Sequence, residues 1–407
     1  MIYPYRKTSP FGCNPPLGLM YLASALLKYN YEVEIADIDA FGGNLNELVK
    51  FIKAYNPDLS GIPLCSSNLE EAYGFTRLFK KIAPESSIVL GGPHATAEPG
   101  YVLNNLPECD FVVRGEGEKT IVELAQSWEG KIRIEDIQGL SFRINGEVVH
   151  NPERKENADL DSIALPARNL LEDAYKRGVY WRIEHKGITD IIITSRGCSF
   201  GCKFCPKLFK SCRRRSIHDI IKEMILIKRR GANALHFVDE TFTLHRQHCV
   251  GVLEFIKKEK LNMEFKVRTR PDRIDRDLMV LMKEAGVKAV VYGFETGSQG
   301  ILDSMAKGYN VEENLRVGRL TKEVGLRVYV DMLLGYPPET PDTVKETMAF
   351  LSRLRPDGIN LSVLLPFPGT EIYREAKLNG ALMGDWSFRN GSPWVKLDWT
   401  DTYGDLL

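Results

Sequence analysis

The chain of 407 residues predicts an α/β protein in two parts, a doubly wound Rossmann-like domain followed by a partial (β/α)6 barrel. Three observations predict it. Short apolar runs alternate with amphipathic helical stretches along nearly the whole length, the pattern of buried parallel strands joined by crossover helices. A less regular polar stretch breaks the alternation once, from about residue 136 to 186. Six further apolar runs follow that break. Most end in polar or charged residues, as strands do in a β/α barrel, which builds its site at the C-terminal face.

In the first part the strands are expected at residues 32–38, 59–65, 86–92 and 110–117. Between and around them, residues 17–29, 45–55, 69–82 and 119–128 have helical periodicity with charged outer faces. A doubly wound sheet binds its ligand beyond the carboxyl ends of its strands, and those ends here carry Pro63 to Ser67, Gly91-Gly92-Pro93-His94 and Gly115-Glu116-Gly117. The first strand is only the stub Ile2-Tyr3-Pro4, which implies either a late start or a shortened strand. The domain is taken as 1–135. Residues 136–186 are read as a linker, with a small hairpin at LSFRINGEVVH.

The barrel is taken as 187–380. Its strands are expected at residues 189–197, 234–240, 264–270, 288–296, 327–336 and 359–367, separated by amphipathic stretches such as HDIIKEMILIKRRG. Residues 381–407 form a short aromatic segment with Trp386, Trp394 and Trp399.

Composition removes several function classes. Lys plus Arg and Asp plus Glu both total 54, so no overall field favours nucleic acid or an anionic membrane surface. No apolar run approaches the ~20 residues of a membrane span. Eight cysteines are too few for a disulfide scaffold, and the N-terminus has no secretory pattern, so a reduced, cytoplasmic setting is expected. Three of the eight, Cys198, Cys202 and Cys205, fall in one stretch, Thr-Ser-Arg-Gly-Cys-Ser-Phe-Gly-Cys-Lys-Phe-Cys-Pro. Zinc would want a fourth ligand in a second pair, and none follows. Three thiolates on a four-iron cluster leave one iron open to an external chelator.

The C-x3-C-x2-C spacing after a first barrel strand, with Phe204 before the third cysteine, resembles the radical SAM superfamily. That resemblance implies a [4Fe–4S] cluster on Cys198, Cys202 and Cys205, with S-adenosylmethionine on the open iron and Phe204 near its adenine. It also gives roles to the strand ends. Asp239 and Glu240 close the second strand, where a carboxylate pairs with the ammonium of S-adenosylmethionine. Arg268 and Arg270 close the third and meet its carboxylate. Glu295 closes the fourth and resembles the acidic motif near the ribose. Gly335, in Leu-Gly-Tyr-Pro, closes the fifth and resembles the segment beside the adenine. Alone, any of these would read as a solvated loop charge; together, at successive strand ends, they read as a site.

The first domain resembles the cobalamin-binding domain that precedes many radical SAM barrels, through Pro16 and Gly18 opening a helix, then Gly91, Gly92 and His94, then Gly115 and Glu116. Glycines at strand ends allow the close backbone approach that a flat corrin needs, and Ser66 and Ser67 are candidates to bond its nucleotide tail. The G-x-G-x-x-G fingerprint of nicotinamide cofactors is absent. So is D-x-H-x-x-G, which leaves the lower cobalt ligand unassigned; His94, following Gly-Gly-Pro, reads as a histidine that fixes its loop. Tyr3, Tyr5 and Cys13 lie in the segment expected to face the corrin, and ordinary packing accounts for them equally well. Cys65, Cys109, Cys212 and Cys249 read as buried small hydrophobes.

The combined resemblance implies a class B radical SAM methyltransferase. One S-adenosylmethionine methylates cobalamin, a second yields a 5′-deoxyadenosyl radical, and methylcobalamin then methylates an unactivated sp3 carbon. A peptide or protein substrate is expected, because no sizeable domain follows the barrel, and so is an electron donor such as flavodoxin or ferredoxin. The runner-up is a cobalamin-dependent cyclase or carbon–carbon coupling enzyme of tetrapyrrole, lipid or natural-product biosynthesis. A cofactor carrier or sensor without turnover would leave Asp239, Arg268 and Glu295 without purpose. RNA modification would have to rest on Arg213-Arg214-Arg215 and Lys228-Arg229-Arg230, runs that ordinarily form solvated helix faces.

Overall fold

The structure, a computed structural model, describes residues 1–4, 12–207 and 209–383, together with the backbone of 394–395. Tyr5 and the side chains of Trp386, Trp394 and Trp399 lie outside the described residues. The chain divides into two compact units between Ile188 and Thr189.

In the first unit, Ile2–Tyr3 (β1) pairs in parallel with Ala36–Asp37 (β2) as a small sheet of its own. Of the strand expected at 32–38, only Ala36 and Asp37 are paired as strand. The main sheet begins with Leu59–Pro63 (β3), Ser87–Gly91 (β4) and Phe111–Val113 (β5), all parallel. Helices Leu17–Leu27 (α1), Leu45–Tyr55 (α2), Leu69–Ile82 (α3) and Gly117–Trp128 (α4) accompany them. α1 buries Leu17, Leu19, Met20, Tyr21, Ala23, Ser24 and Leu26, too wide a face for a surface helix.

The region read as a linker is part of this unit. Leu140–Ile144 (β6) and Glu147–His150 (β7) form the hairpin and extend the main sheet antiparallel to β5, giving the order β3-β4-β5-β6-β7. Asn145 and Gly146 both have positive φ, 51° and 88°, the turn that matches strand twist. Sequence spacing shows the hairpin, but its docking depends on Phe142, which is buried opposite Phe111.

The second unit holds one six-stranded parallel sheet in sequential order: Thr189–Ile192 (β8), Ala234–Phe237 (β9), Glu264–Thr269 (β10), Val287–Glu295 (β11), Arg327–Leu334 (β12) and Gly358–Val363 (β13). The sheet curls as a half-barrel. Its crossover helices are Ile217–Arg229 (α5), Arg246–Glu259 (α6), Arg276–Glu284 (α7), Val311–Val324 (α8) and Pro341–Leu354 (α9), and Glu371–Leu378 (α10) follows β13. All but α6 start on a side-chain cap, from Ser216, Asp275, Asn310, Thr340 and Thr370. Each such cap contributes about 1 kcal/mol and fixes where the preceding loop ends.

Candidate active site

β8 runs on through Ser195–Arg196, which pairs antiparallel with Arg213–Arg214, so the residues between them form a closed loop. Gly197 makes the closure possible. Its φ is 94°, and a Cβ there would come 2.2 Å from the Ser211 carbonyl. The loop carries Cys198, Cys202 and Cys205, all free thiols. The sulfur of Cys205 is crowded although the residue is exposed; that desolvation, then the nearby Cys202 and Cys198, pushes its thiol up to about 11. Iron must therefore displace protons here. Among the described residues no group of three or more His, Cys, Asp or Glu is closed on a single metal ion. In an iron–sulfur cube each thiolate binds a different iron, so the donors need not converge on one point.

The loop is braced from several sides. Lys203 reaches Glu371 and Glu375 of α10, both at 3.1 Å, and its backbone bonds Met305 and Ile372. Phe204 packs edge-on against Tyr336 at 6.3 Å and joins a core of Ile301, Met305, Leu333, Leu364 and Ile372. Tyr336 follows Gly335, whose φ is 79° and whose N–H donates to Glu339 at 2.6 Å. The two elements expected beside an adenine thus meet.

Two of the expected residues make bonds within the protein. Asp239, one of the two acids expected near the ammonium, is fully buried, and its carboxylate accepts from Thr194 N–H, Thr194 Oγ1 and Ser195 Oγ at 2.5 to 3.2 Å. It ties the end of β9 to the start of the cysteine loop. Burial raises its carboxyl despite those bonds. Glu240 is the accessible acid of the pair, and desolvation by its surroundings raises it also. Arg270, the second arginine expected near the carboxylate of S-adenosylmethionine, has its guanidinium buried against the loop, with Nη1 donating to the Cys202 sulfur at 3.8 Å. Arg268 is half exposed and pairs with Asp331 at 3.3 Å.

Glu295 sits where β11 bulges against β12, and its φ is 66°. This backbone is uncommon for a non-glycine residue and re-aims the side chain. Its carboxylate meets Lys307 Nζ at 2.8 Å. Burial alone would lower the Lys307 ammonium, but Glu295, Tyr309 and Cys202 outweigh it and hold the lysine above its usual range. Tyr309 closes the group by donating to the Gly293 carbonyl at 2.6 Å. Lys307 and Tyr309 escaped the sequence reading. The available signal was Lys-Gly-Tyr shortly after the glutamate.

In the first unit the carboxyl ends of β3, β4 and β5 carry the expected residues. Ser66 Oγ bonds His94 Nδ1 at 2.9 Å; His94 is 1% exposed, and burial lowers it to about 4, so it is neutral near pH 7. Ser67 is exposed. Gly91 accepts from Leu64 N–H at 2.6 Å, and Gly92, with φ 109°, lets the turn cross onto the Leu64 carbonyl, 2.9 Å from where a Cβ would be. Gly18, just behind Pro16, and Gly115 face open space, a Cβ on either meeting nothing within 4 Å, which suits the approach of a broad flat ligand. Glu116 is engaged elsewhere and accepts from the Asn157 N–H at 2.8 Å. Buried Asp37 accepts from Tyr180 at 3.1 Å, and Cys13 reaches Asp39 at 3.3 Å. Cys109 and Cys249 are buried, but Cys65 and Cys212 are only half buried, and Cys212 lies 3.3 Å from His245 Nε2.

Three free thiols thus share one closed loop, and the backbone at Gly18 and Gly115 stays open. Comparison with known proteins agrees. The Radical SAM superfamily model matches residues 192–351, and the B12 binding domain model matches 7–125. An uncharacterized methyltransferase of Pyrococcus horikoshii is 32% identical over 91% of this chain and 80% of its own. An anaerobic magnesium-protoporphyrin IX monomethyl ester cyclase of Rubrivivax gelatinosus is 28% identical over 89% of this chain and 66% of its own. The radical S-adenosylmethionine methyltransferase TsrM of Kitasatospora setae, solved with cobalamin and a [4Fe-4S] cluster, superposes with TM-score 0.77 at 21% identity, over 93% of this chain and 74% of that one.

Proposed function

The chain belongs to the B12-binding radical SAM family, and from that premise we propose that it is a cobalamin-dependent radical SAM methyltransferase acting on an unactivated sp3 carbon of a peptide or protein. When bound, the corrin supplies methyl carriage, and the cluster with S-adenosylmethionine supplies hydrogen-atom abstraction. Cys198, Cys202 and Cys205 hold the cluster. Glu240 and Arg268 orient the amino-acid end of S-adenosylmethionine. Phe204 and the Gly335 segment flank its adenine, and Glu295, fixed by Lys307, stands near its ribose. On the other unit Pro16, Gly18, Ser66, Ser67, Gly91, Gly92 and Gly115 line the corrin site, with His94 holding Ser66 in place. A low-potential one-electron donor such as flavodoxin or ferredoxin supplies reducing equivalents.

The observation that carries methyl transfer is the relative named a methyltransferase, which matches across 91% of this chain. The cyclase relative supports a second reading, oxidative ring closure. Mass spectrometry of the host proteome with and without the gene separates them. A single peptide lighter by one methylene in the knockout supports methylation of a protein. An unchanged proteome together with an altered tetrapyrrole or lipid profile supports the alternative.

A further inference from the structure

We propose that Arg270 raises the reduction potential of the iron–sulfur cluster through a charge-assisted hydrogen bond to the Cys202 sulfur. Arg270 directly follows β10, and its guanidinium is held on every side. Nε donates to Asp272 at 2.9 Å, and Nη2 donates to Asp272 at 3.3 Å and to the Lys307 carbonyl at 2.6 Å. The plane lies over the Phe200 ring, Cζ 3.4 Å from its centroid, with Tyr309 at 4.9 Å. Phe200 stands between Cys198 and Cys202, so this contact docks the loop on the arginine. Nη1 is left aimed at Cys202 Sγ, 3.8 Å away, a distance suited to a long bond to sulfur.

Arginine keeps its charge in any protein environment, and its planar fork cannot turn away once Nε and Nη2 are fixed. The reduced cluster carries one more negative charge than the oxidised. A 6%-exposed cation donating an N–H to a ligand sulfur therefore favours the reduced form, since hydrogen bonds to the sulfurs and local charge tune such potentials. Asp272, on the opposite side of the guanidinium, moderates the effect. The proposal rests on the cluster and not on the reaction assigned above, because the potential is read without substrate; failure of either leaves the other standing.

Anaerobic potentiometric titration of the reconstituted holoprotein, followed by the electron paramagnetic resonance of the reduced cluster, tests it. In Arg270→Met the reduced-to-oxidised ratio at fixed potential should fall about tenfold, ~59 mV for a one-electron couple. Arg270→Lys, which keeps the charge and loses the fork, should fall less, and Asp272→Asn should shift the opposite way. Arg270→Met with wild-type iron and sulfide and an unchanged potential overturns the proposal. If that variant binds no cluster, Asp272→Asn decides, and an unshifted potential there overturns it.

Discussion

Lys307 Nζ and Glu295 Oε1 meet at 2.8 Å beside Gly293, where an added Cβ would come 2.6 Å from the same oxygen. The side chains are 6% and 12% exposed, so each charge depends on the other for its solvation. Lys307→Met should destabilise the second unit by about 3–5 kcal/mol, because it leaves a buried carboxylate without its partner. The double variant Glu295→Met/Lys307→Met should recover much of that loss. Denaturant unfolding of the wild type and these two variants measures it, and a silent Lys307→Met would show that the pair is dispensable.

Gly197→Ala should abolish cluster loading while the protein still folds. The substituted Cβ would overlap the Ser211 carbonyl and carry a φ of 94°, so the loop cannot close around its three thiols. Iron and acid-labile sulfide assays on reconstituted protein check it.

Asp239 and Glu240 are neighbours in different surroundings, one buried and one exposed. Asp239→Asn should lower iron content, because the bonds from Thr194 and Ser195 that seat the cysteine loop weaken. Glu240→Gln should leave iron content intact and weaken S-adenosylmethionine binding roughly tenfold or more, the loss of about 1.5–3 kcal/mol from one charged hydrogen bond. Calorimetric titration on cluster-loaded protein separates the two. Equal effects from both substitutions would undo the division.

His94 predicts a pH dependence. Its folded pKa of about 4 lies below the unfolded 6.5, so the unfolded chain takes up a proton first as pH falls. The stability contribution is complete above about 6.5 and is lost progressively down to about 4, on the order of 3 kcal/mol in all. Between pH 7 and pH 5, wild-type protein should lose on the order of 2 kcal/mol more than His94→Gln, compared by denaturant midpoints.

How much of this was legible in the sequence follows from range. The cysteine spacing, the glycines at strand ends and the parallel strands are local patterns, and the alternation of apolar runs and helices gives the order of β8 to β13 directly. Partners far along the chain were hidden. Nothing local marks Asp239 as bonded to Thr194, Glu116 as bonded to Asn157, or Arg270 as aimed at Cys202 rather than outward. Phe142, which docks the hairpin on β5, carries no mark in the sequence that separates a linker from an added strand. Lys307 follows Glu295 by twelve residues, but only the bulge at Glu295 and the return of the chain past Gly293 bring them together.

Methyl transfer is tested most directly by following the methyl group. Reconstituted enzyme, given cobalamin, a reductant, candidate peptide substrate and S-adenosylmethionine carrying an isotopically labelled methyl group, should release 5′-deoxyadenosine and a product heavier by one labelled methyl group in place of hydrogen. Release of 5′-deoxyadenosine with an unlabelled product that has only lost hydrogen would contradict it.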